Sequence, residues 1–186
     1  MIYLPLEDSY LLSETLKEYL TKAKNKIKNK SLKILDMGSG SGIQAQTCKG
    51  LGFKNILCAD VDKEVIEHLK SENLNTIQSN LFSNIKKSEK FDLIIFNPPY
   101  LPEDKREPQD SRNATTGGKK GYEIIIKFLN QAKSHLNKDA KILLLFSSFS
   151  QPKIILKKAK DLGYNFKALS SKKLFFEELF VYKLSF

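Results

Sequence analysis

Four consecutive residues, Asn97, Pro98, Pro99 and Tyr100, bring together groups that suit one kind of chemistry. Pro98 presents a carbonyl and its ring nitrogen carries no donor, Asn97 offers a side-chain carbonyl beside its own NH2, and Tyr100 supplies a flat face and a hydroxyl. Two acceptors next to a ring fit a planar NH2 group. The lone pair of an amide or aniline-type nitrogen is delocalised, which makes it a poor nucleophile. Donating both hydrogens to fixed acceptors would orient that nitrogen and raise its electron density, while the ring holds the plane by stacking. The same four residues also read simply as a turn after a strand, because Asn-Pro and Pro-Pro mark turns generally.

The element that positions them is the apolar run before Asn97. Leu93 to Phe96 are continuously hydrophobic, which suits a strand covered on both faces. The two prolines have no N–H for a neighbouring strand and must end the ladder, so the chain leaves the sheet at Asn97. Ligands of open α/β sheets sit at the carboxyl ends of strands, and Asn97 to Tyr100 therefore face a functional crevice.

A second candidate lies upstream in Leu35-Asp36-Met37-Gly38-Ser39-Gly40-Ser41-Gly42, preceded by a strand from about Ser31 and followed by a helix to about Leu51. Strand, glycine-rich turn and helix form a nucleotide-binding arrangement. Here the glycines recur every second residue and Asp36 stands just before them. A carboxylate at that point would repel a pyrophosphate and pair with an ammonium, which favours an amino-acid-bearing nucleoside over a dinucleotide. Asp60 ends a strand over Asn55–Ala59 and lies twenty residues past Gly40, the spacing at which an acidic side chain reaches ribose hydroxyls. Asp62 reads as N-cap of a helix over Lys63–Ser71. A short strand, Asn75–Gln78, leads to Asn80 and Leu81, which are placed either to frame an adenine or merely to turn the chain.

The remaining elements complete an α/β pattern. Residues Asp8 to about Lys28 predict an amphipathic helix, with Asp8 or Ser9 as N-cap and Leu12, Leu16, Leu20, Ala23 and Ile27 on its stripe. Leu101 to Lys120 has no periodicity and reads as a substrate-facing flap. Helices are expected over Gly121–Leu136, with Tyr122, Ile125, Ile126 and Leu129 buried, and over Pro152–Leu162. Strands are expected over Lys141–Ser147, Tyr164–Leu169 and Leu174–Leu184, the last two antiparallel and joined by Ser170-Ser171-Lys172-Lys173. His68 and His135, alone on helical segments, read as ordinary surface or core residues.

Bulk properties bound the setting. At 186 residues the chain fits one domain. Cys48 and Cys58 make no metal-type pair, and with no signal-like start and no spanning apolar stretch the expectation is a soluble, reduced, cytoplasmic protein without a metal. The net charge of +10 suggests an acidic partner such as RNA, a ribosome or an RNA-bound protein. The lysines are scattered, however, and a generally lysine-rich surface explains the same number.

Taken in order and spacing, Asp36 with its glycines, Asp60, Asn80-Leu81 and Asn97-Pro98-Pro99-Tyr100 resemble the class I S-adenosylmethionine-dependent methyltransferases. Within them, Pro5-Leu6-Glu7-Asp8-Ser9 and Gly117-Gly118-Lys119-Lys120-Gly121 are similar to segments of the HemK/PrmC-like branch, which methylates a glutamine of peptide-chain release factors. The resemblance implies a Rossmann-like, seven-stranded, mostly parallel sheet with helices on both faces and an antiparallel C-terminal hairpin. It implies one methyltransferase domain over residues 1–186, with 1–30 as an N-terminal helical segment packed on it and 101–120 as the flap.

The same resemblance assigns roles. Ser9, Asp36, Gly38, Gly40, Asp60, Asn80, Leu81 and Asn97 would hold S-adenosylmethionine. Asn97 and the Pro98 carbonyl would accept the glutamine NH2 hydrogens, with Pro99 and Tyr100 completing the catalytic set and Tyr100 packed on the amide. The chain departs from the family at Asn80, usually Asp, and in lacking an aromatic before Gly117. With a single helix before the first strand it looks like the compact archaeal and eukaryotic branch, whose members work with a small zinc-binding activator. A nucleic-acid amino-methyltransferase, another protein substrate and a non-catalytic scaffold are the competing expectations.

Overall fold

The computed structural model describes residues 5–24, 31–104, 106, 108, 112 and 115–186. Among these, seven strands form one sheet: β1 (Ile34–Met37), β2 (Ile56–Asp60), β3 (Asn75–Gln78), β4 (Phe91–Phe96), β5 (Leu136–Ser147), β6 (Asn165–Lys173) and β7 (Glu178–Ser185). Their order is β3-β2-β1-β4-β5-β7-β6. The first five neighbours run parallel, and β7 lies antiparallel between β5 and β6. The chain first builds outward from β1 to β2 and β3, then returns to lay β4 on the other side of β1. That reversal puts the ends of β1 and β4 side by side, with Met37 opposite Phe96, and opens a crevice there.

Side-chain alternation divides the core into two layers. Leu35, Met37, Ile94, Phe96, Ile142 and Leu144 point to one face of the sheet. There they meet Ile125, Phe128 and Leu129 of α4 (Glu123–Ala132) and Ile155 and Ala159 of α5 (Pro152–Asp161). Ile34, Leu93, Ile95, Leu143 and Leu145 point to the other. That layer is closed by α1 (Glu7–Lys24), α2 (Ile43–Gly50) and α3 (Lys63–Ser71) through Leu12, Leu16, Ala45, Cys48 and Leu69. No helix among the described residues is long and apolar enough to cross a membrane.

Several expectations need correction. Helix α1 already begins at Glu7, where the Tyr10 N–H donates to the Leu6 carbonyl, so Asp8 and Ser9 lie inside its first turn and neither is the N-cap. Its expected end at Lys28, with Ile27, falls outside the described residues. Asp62 does cap α3, accepting from the Glu64 N–H at 2.8 Å. The helix expected over Gly121–Leu136 is shorter, because the chain tightens into a 3-10 turn at Lys133–His135, and Phe128 and Ala132 join Ile125 and Leu129 in its buried stripe.

Strand β5 starts five residues before the expected Lys141. Leu136 pairs with Phe91 before an irregularity carries the register on to Lys141 opposite Leu93. The C-terminal turn is Leu174–Glu177, closed by the Leu174 N–H on the Glu177 carbonyl, and Ser170 to Lys173 belong to β6. His135 is buried, its Nδ1 2.9 Å from the Glu89 carbonyl and its ring stacked on Phe82.

Candidate active site

The turn after β1 is built on backbone bonds to β2. The Gly38 and Ser39 N–H groups donate to the Ala59 carbonyl at 2.7 and 3.2 Å, and the Ser39 hydroxyl donates to the Asp36 carbonyl at 2.7 Å. A Cβ on Gly40 would meet no atom of the described residues within 4 Å, so the turn leaves open space there. Below it, Asp36 is buried and its Oδ2 has no hydrogen-bond partner among the described residues. Burial pushes the Asp36 carboxyl up to about 7; donation from the Ala45 backbone N–H opposes this, the Asp60 charge adds to it, and the Ser39 hydroxyl opposes it again. A buried carboxylate oxygen without a partner is costly unless a ligand supplies one.

Asp60 is placed by its own backbone contacts. One oxygen accepts from the Gly40 N–H at 3.0 Å and the other from the Asp62 N–H at 3.0 Å, so the carboxylate ties the glycine turn to the end of β2. Burial raises its pKa, and the N–H donors of Asp62, Gly40 and Val61 work against that. Both oxygens keep lone pairs for further donors such as hydroxyls. Leu81 is held left-handed at φ 52°, a strained conformation for a non-glycine residue. The Ser79 hydroxyl pins it by donating to the Leu81 carbonyl at 2.7 Å, with exposed Asn80 beside it.

At the end of β4 the amide of Asn97 is oriented by a residue from the far N-terminus. Its Nδ2 donates to Asp8 Oδ2 at 3.1 Å and lies 3.5 Å from the Ser9 hydroxyl. A carboxylate only accepts, so the NH2 must face Asp8 and the carbonyl must point elsewhere. That carbonyl oxygen is buried and has no partner among the described residues. Asp8 is itself buried; its other oxygen takes the Ser9 N–H at 2.6 Å, and the Tyr100 hydroxyl approaches Oδ2 at 3.5 Å.

One cavity of about 680 Å3 joins these groups. That is within the roughly 300–1,000 Å3 of cofactor and small-molecule sites. Ser9, Asp36, Gly38, Gly40, Asp60, Asn80, Leu81, Asn97, Pro98 and Pro99 all line it. Tyr100 does not. Its half-buried ring packs against both core layers and its hydroxyl reaches Asp8.

Residues that sequence reasoning missed also line the cavity: Asp8, Gln44, Glu103, Arg112, Lys119 and Lys127. Gln44 donates to the Ser9 carbonyl at 2.9 Å and keeps a buried Oε1 with no partner among the described residues. Asp8 stands in the sequence as a helix start and within the Pro5–Ser9 segment, but its long-range contact to Asn97 leaves no local signal.

The flap expected over 101–120 is anchored at its base. Leu101 pairs with Thr116 in a parallel bridge, and the Gly117 N–H donates to the Leu101 carbonyl at 2.9 Å. Gly117 and Gly121 explain the Gly-Gly-x-x-Gly segment: a Cβ on Gly117 would lie 2.7 Å from the Pro99 carbonyl, and one on Gly121 2.5 Å from the Tyr100 carbonyl. Only bare backbone packs this close to the residues after Asn97.

A parallel sheet reversing at β1 and β4, an acidic residue before a glycine turn and a second acid at the end of β2 define a class I S-adenosylmethionine-dependent methyltransferase. The family model of the Eco57I restriction-modification methylases matches residues 9–151. A Methanocaldococcus jannaschii protein carrying the name protein N5-glutamine methyltransferase is 34% identical over 188 residues, covering 97% of this chain and 89% of that one. A release factor glutamine methyltransferase of Fusobacterium nucleatum is 33% identical over 74% of the chain, which spans only 42% of that longer protein. Among solved structures, the E. cuniculi Mtq2–Trm112 complex, described as methylating the eRF1 translation termination factor, superposes with a TM-score of 0.77 at 22% identity, covering 98% of this chain and 97% of that one. The chain belongs to the HemK/PrmC-like family of protein-glutamine N5-methyltransferases.

Two outcomes follow from this geometry. Because folding raises the Asp36 pKa, the folded chain binds that proton more tightly than the unfolded one, and the resulting stability is lost as pH rises from about 4 to about 7. Asp36→Asn should therefore stabilise the ligand-free chain at pH 8, on the order of 2–4 kcal/mol, and give little gain near pH 4, read from urea midpoints. Gly121→Ala should cost roughly 2 kcal/mol or more in thermal unfolding, because φ is 83° and the new Cβ meets backbone atoms that cannot swing away.

Proposed function

We propose that this chain transfers a methyl group from S-adenosylmethionine to the side-chain amide nitrogen of a glutamine in a peptide-chain release factor. The observation that carries the reading is the Asn97 amide, whose NH2 is engaged by Asp8 and whose carbonyl oxygen is left buried and, among the described residues, without a partner beside Pro98. An acceptor in that state asks for a donor, and a glutamine NH2 supplies two. The names of the relatives point to the same substrate.

The residues fit the cofactor. Asp36 Oδ2 is an unpartnered buried acceptor suited to its ammonium, the open ground above Gly40 leaves room for it, Asp60 retains lone pairs for ribose hydroxyls, and Leu81 offers an apolar face for adenine. When bound, S-adenosylmethionine supplies an electrophilic methyl: the S–C bond breaks as the N–C bond forms, sulfur keeps the electron pair, and nitrogen sheds one proton to water. Asn97 and the Pro98 carbonyl would hold the NH2 group, aligning the nitrogen lone pair with the methyl. Pro99 extends the wall. Tyr100 would steady Asp8 through its hydroxyl and pack its exposed part on the substrate amide.

The wider proposal treats residues 1–186 as one catalytic domain, with 1–30 packed on it and 101–120 as the substrate-facing flap. A small activator subunit is a further part of it, supported by the fold's likeness to a methyltransferase solved as a complex with Trm112. The activator's zinc, proximity to the ribosome and a cytoplasmic setting come with the same reading. The Eco57I match and the net charge of +10 favour a second one, methylation of an adenine, cytosine or guanine amino group.

Incubation with isotope-labelled S-adenosylmethionine, a purified release factor and an RNA and DNA panel, with and without the activator, separates the two. Label is expected on one glutamine side chain, and label confined to nucleic acid would reverse the choice. Asn97→Ala should lower kcat about a hundredfold with less than about a tenfold change in cofactor affinity, because the lost contact acts mainly on the acceptor nitrogen.

A further inference from the structure

We propose that Asp8 is a positioning residue for methyl transfer: by accepting from Nδ2, its carboxylate fixes which end of the Asn97 amide faces the substrate. The inference rests on the reading of Asn97 as acceptor for the glutamine NH2. A primary amide has two orientations related by a half-turn, nearly equal in shape and opposite in function. In one, Asn97 accepts from the substrate nitrogen. In the other it presents hydrogens to it and the site is blocked.

The contacts choose between them. Asp8 Oδ2 lies 3.1 Å from Asn97 Nδ2, and a half-turn of the amide would set Oδ1 against a carboxylate oxygen, acceptor facing acceptor. Asp8 is fixed in its own right. Its Oδ1 takes the Ser9 N–H at 2.6 Å and the Tyr100 hydroxyl stands 3.5 Å from Oδ2, while Leu12 and Leu16 seat the helix in the core. Donation to a carboxylate also pushes electron density through the amide onto Oδ1, which strengthens it as an acceptor. The sequence separation of 89 residues shows that this is a tertiary device and not a turn contact.

The isosteric substitution Asp8→Asn tests this sharply. The Ser9 N–H demands an acceptor at the Oδ1 position, so the new amide must keep its oxygen there and place its NH2 where Oδ2 was, facing the NH2 of Asn97. Relief comes when Asn97 turns over, which presents hydrogens to the substrate.

We expect kcat to fall at least about tenfold, with cofactor dissociation constant and thermal midpoint near those of the parent. In the Asn97→Ala background the same change should cost little more, because the group it orients is gone. Parent-like kcat in Asp8→Asn, alongside a crippled Asn97→Ala, would overturn the role of Asp8 and leave the acceptor site standing. So would a double variant weaker than Asn97→Ala by the full factor of Asp8→Asn alone, since Asp8 would then act independently. An active Asn97→Ala would instead remove the acceptor reading and this inference with it. Should Asp8→Asn unfold, Asp8→Glu, which keeps an acceptor-only group, gives the remaining comparison: partial recovery of kcat supports the inference, and a loss as deep as that of Asn97→Ala in a folded protein contradicts it.

Discussion

The site depends on the parallel pairing of β1 with β4. Neighbouring strands lie about 4.8 Å apart. Setting Met37 beside Phe96 therefore places the turn that follows Asp36 next to the turn that begins at Asn97. In the proposed reading one turn would take an amino-acid-bearing nucleoside and the other an NH2 group, so that the sheet itself would bring a methyl donor and a poor nucleophile into reach. Proximity of this kind is the largest contribution available when the donor already carries its own driving force. The apolar layers beneath, with Phe96 and Phe128 on one face and Ile95 and Leu12 on the other, hold both turns to that spacing.

Around this pairing the protein keeps polar groups in unfavourable states. Among the described residues, Asp36 Oδ2, Gln44 Oε1 and Asn97 Oδ1 are buried acceptors without partners, and all three residues line the same cavity. Each lowers the stability of the ligand-free chain, and a donor arriving in the cavity would relieve it. Leu81 adds backbone strain at the same place. Such concentration of unsatisfied groups in one crevice is what a site built for its ligands looks like before they arrive.

Much of this was legible in the sequence because the signals were local. The Leu93–Phe96 run ended by two prolines, the glycines after Asp36, and the strand lengths around Asp60 and Asn75 each depend on neighbours a few residues away. What was hidden depended on tertiary contact. Asp8 looked like a helix cap because its spacing fits one, yet its partner is 89 residues downstream. Tyr100 reads as a stacking face, and the part of its ring that packs on both core layers could not be read from its neighbours in sequence. Ser170 to Lys173 looked like a turn from composition alone, and pairing with β7 overrides that weak preference.

The match to a DNA methylase family and the likeness to glutamine methyltransferases meet in this same geometry, since an adenine amino group and a glutamine amide are both planar NH2 groups. Substrate choice must then lie in what surrounds the acceptor, where Glu103, Arg112 and Lys119 line the cavity. The most direct test of the central arrangement is a crystal structure of the chain with S-adenosylhomocysteine and a glutamine-containing peptide. The account predicts the glutamine nitrogen within hydrogen-bond distance of both Asn97 Oδ1 and the Pro98 carbonyl, and the cofactor ammonium on Asp36. A glutamine held elsewhere, or an Asn97 amide turned with its NH2 toward the substrate, would contradict it.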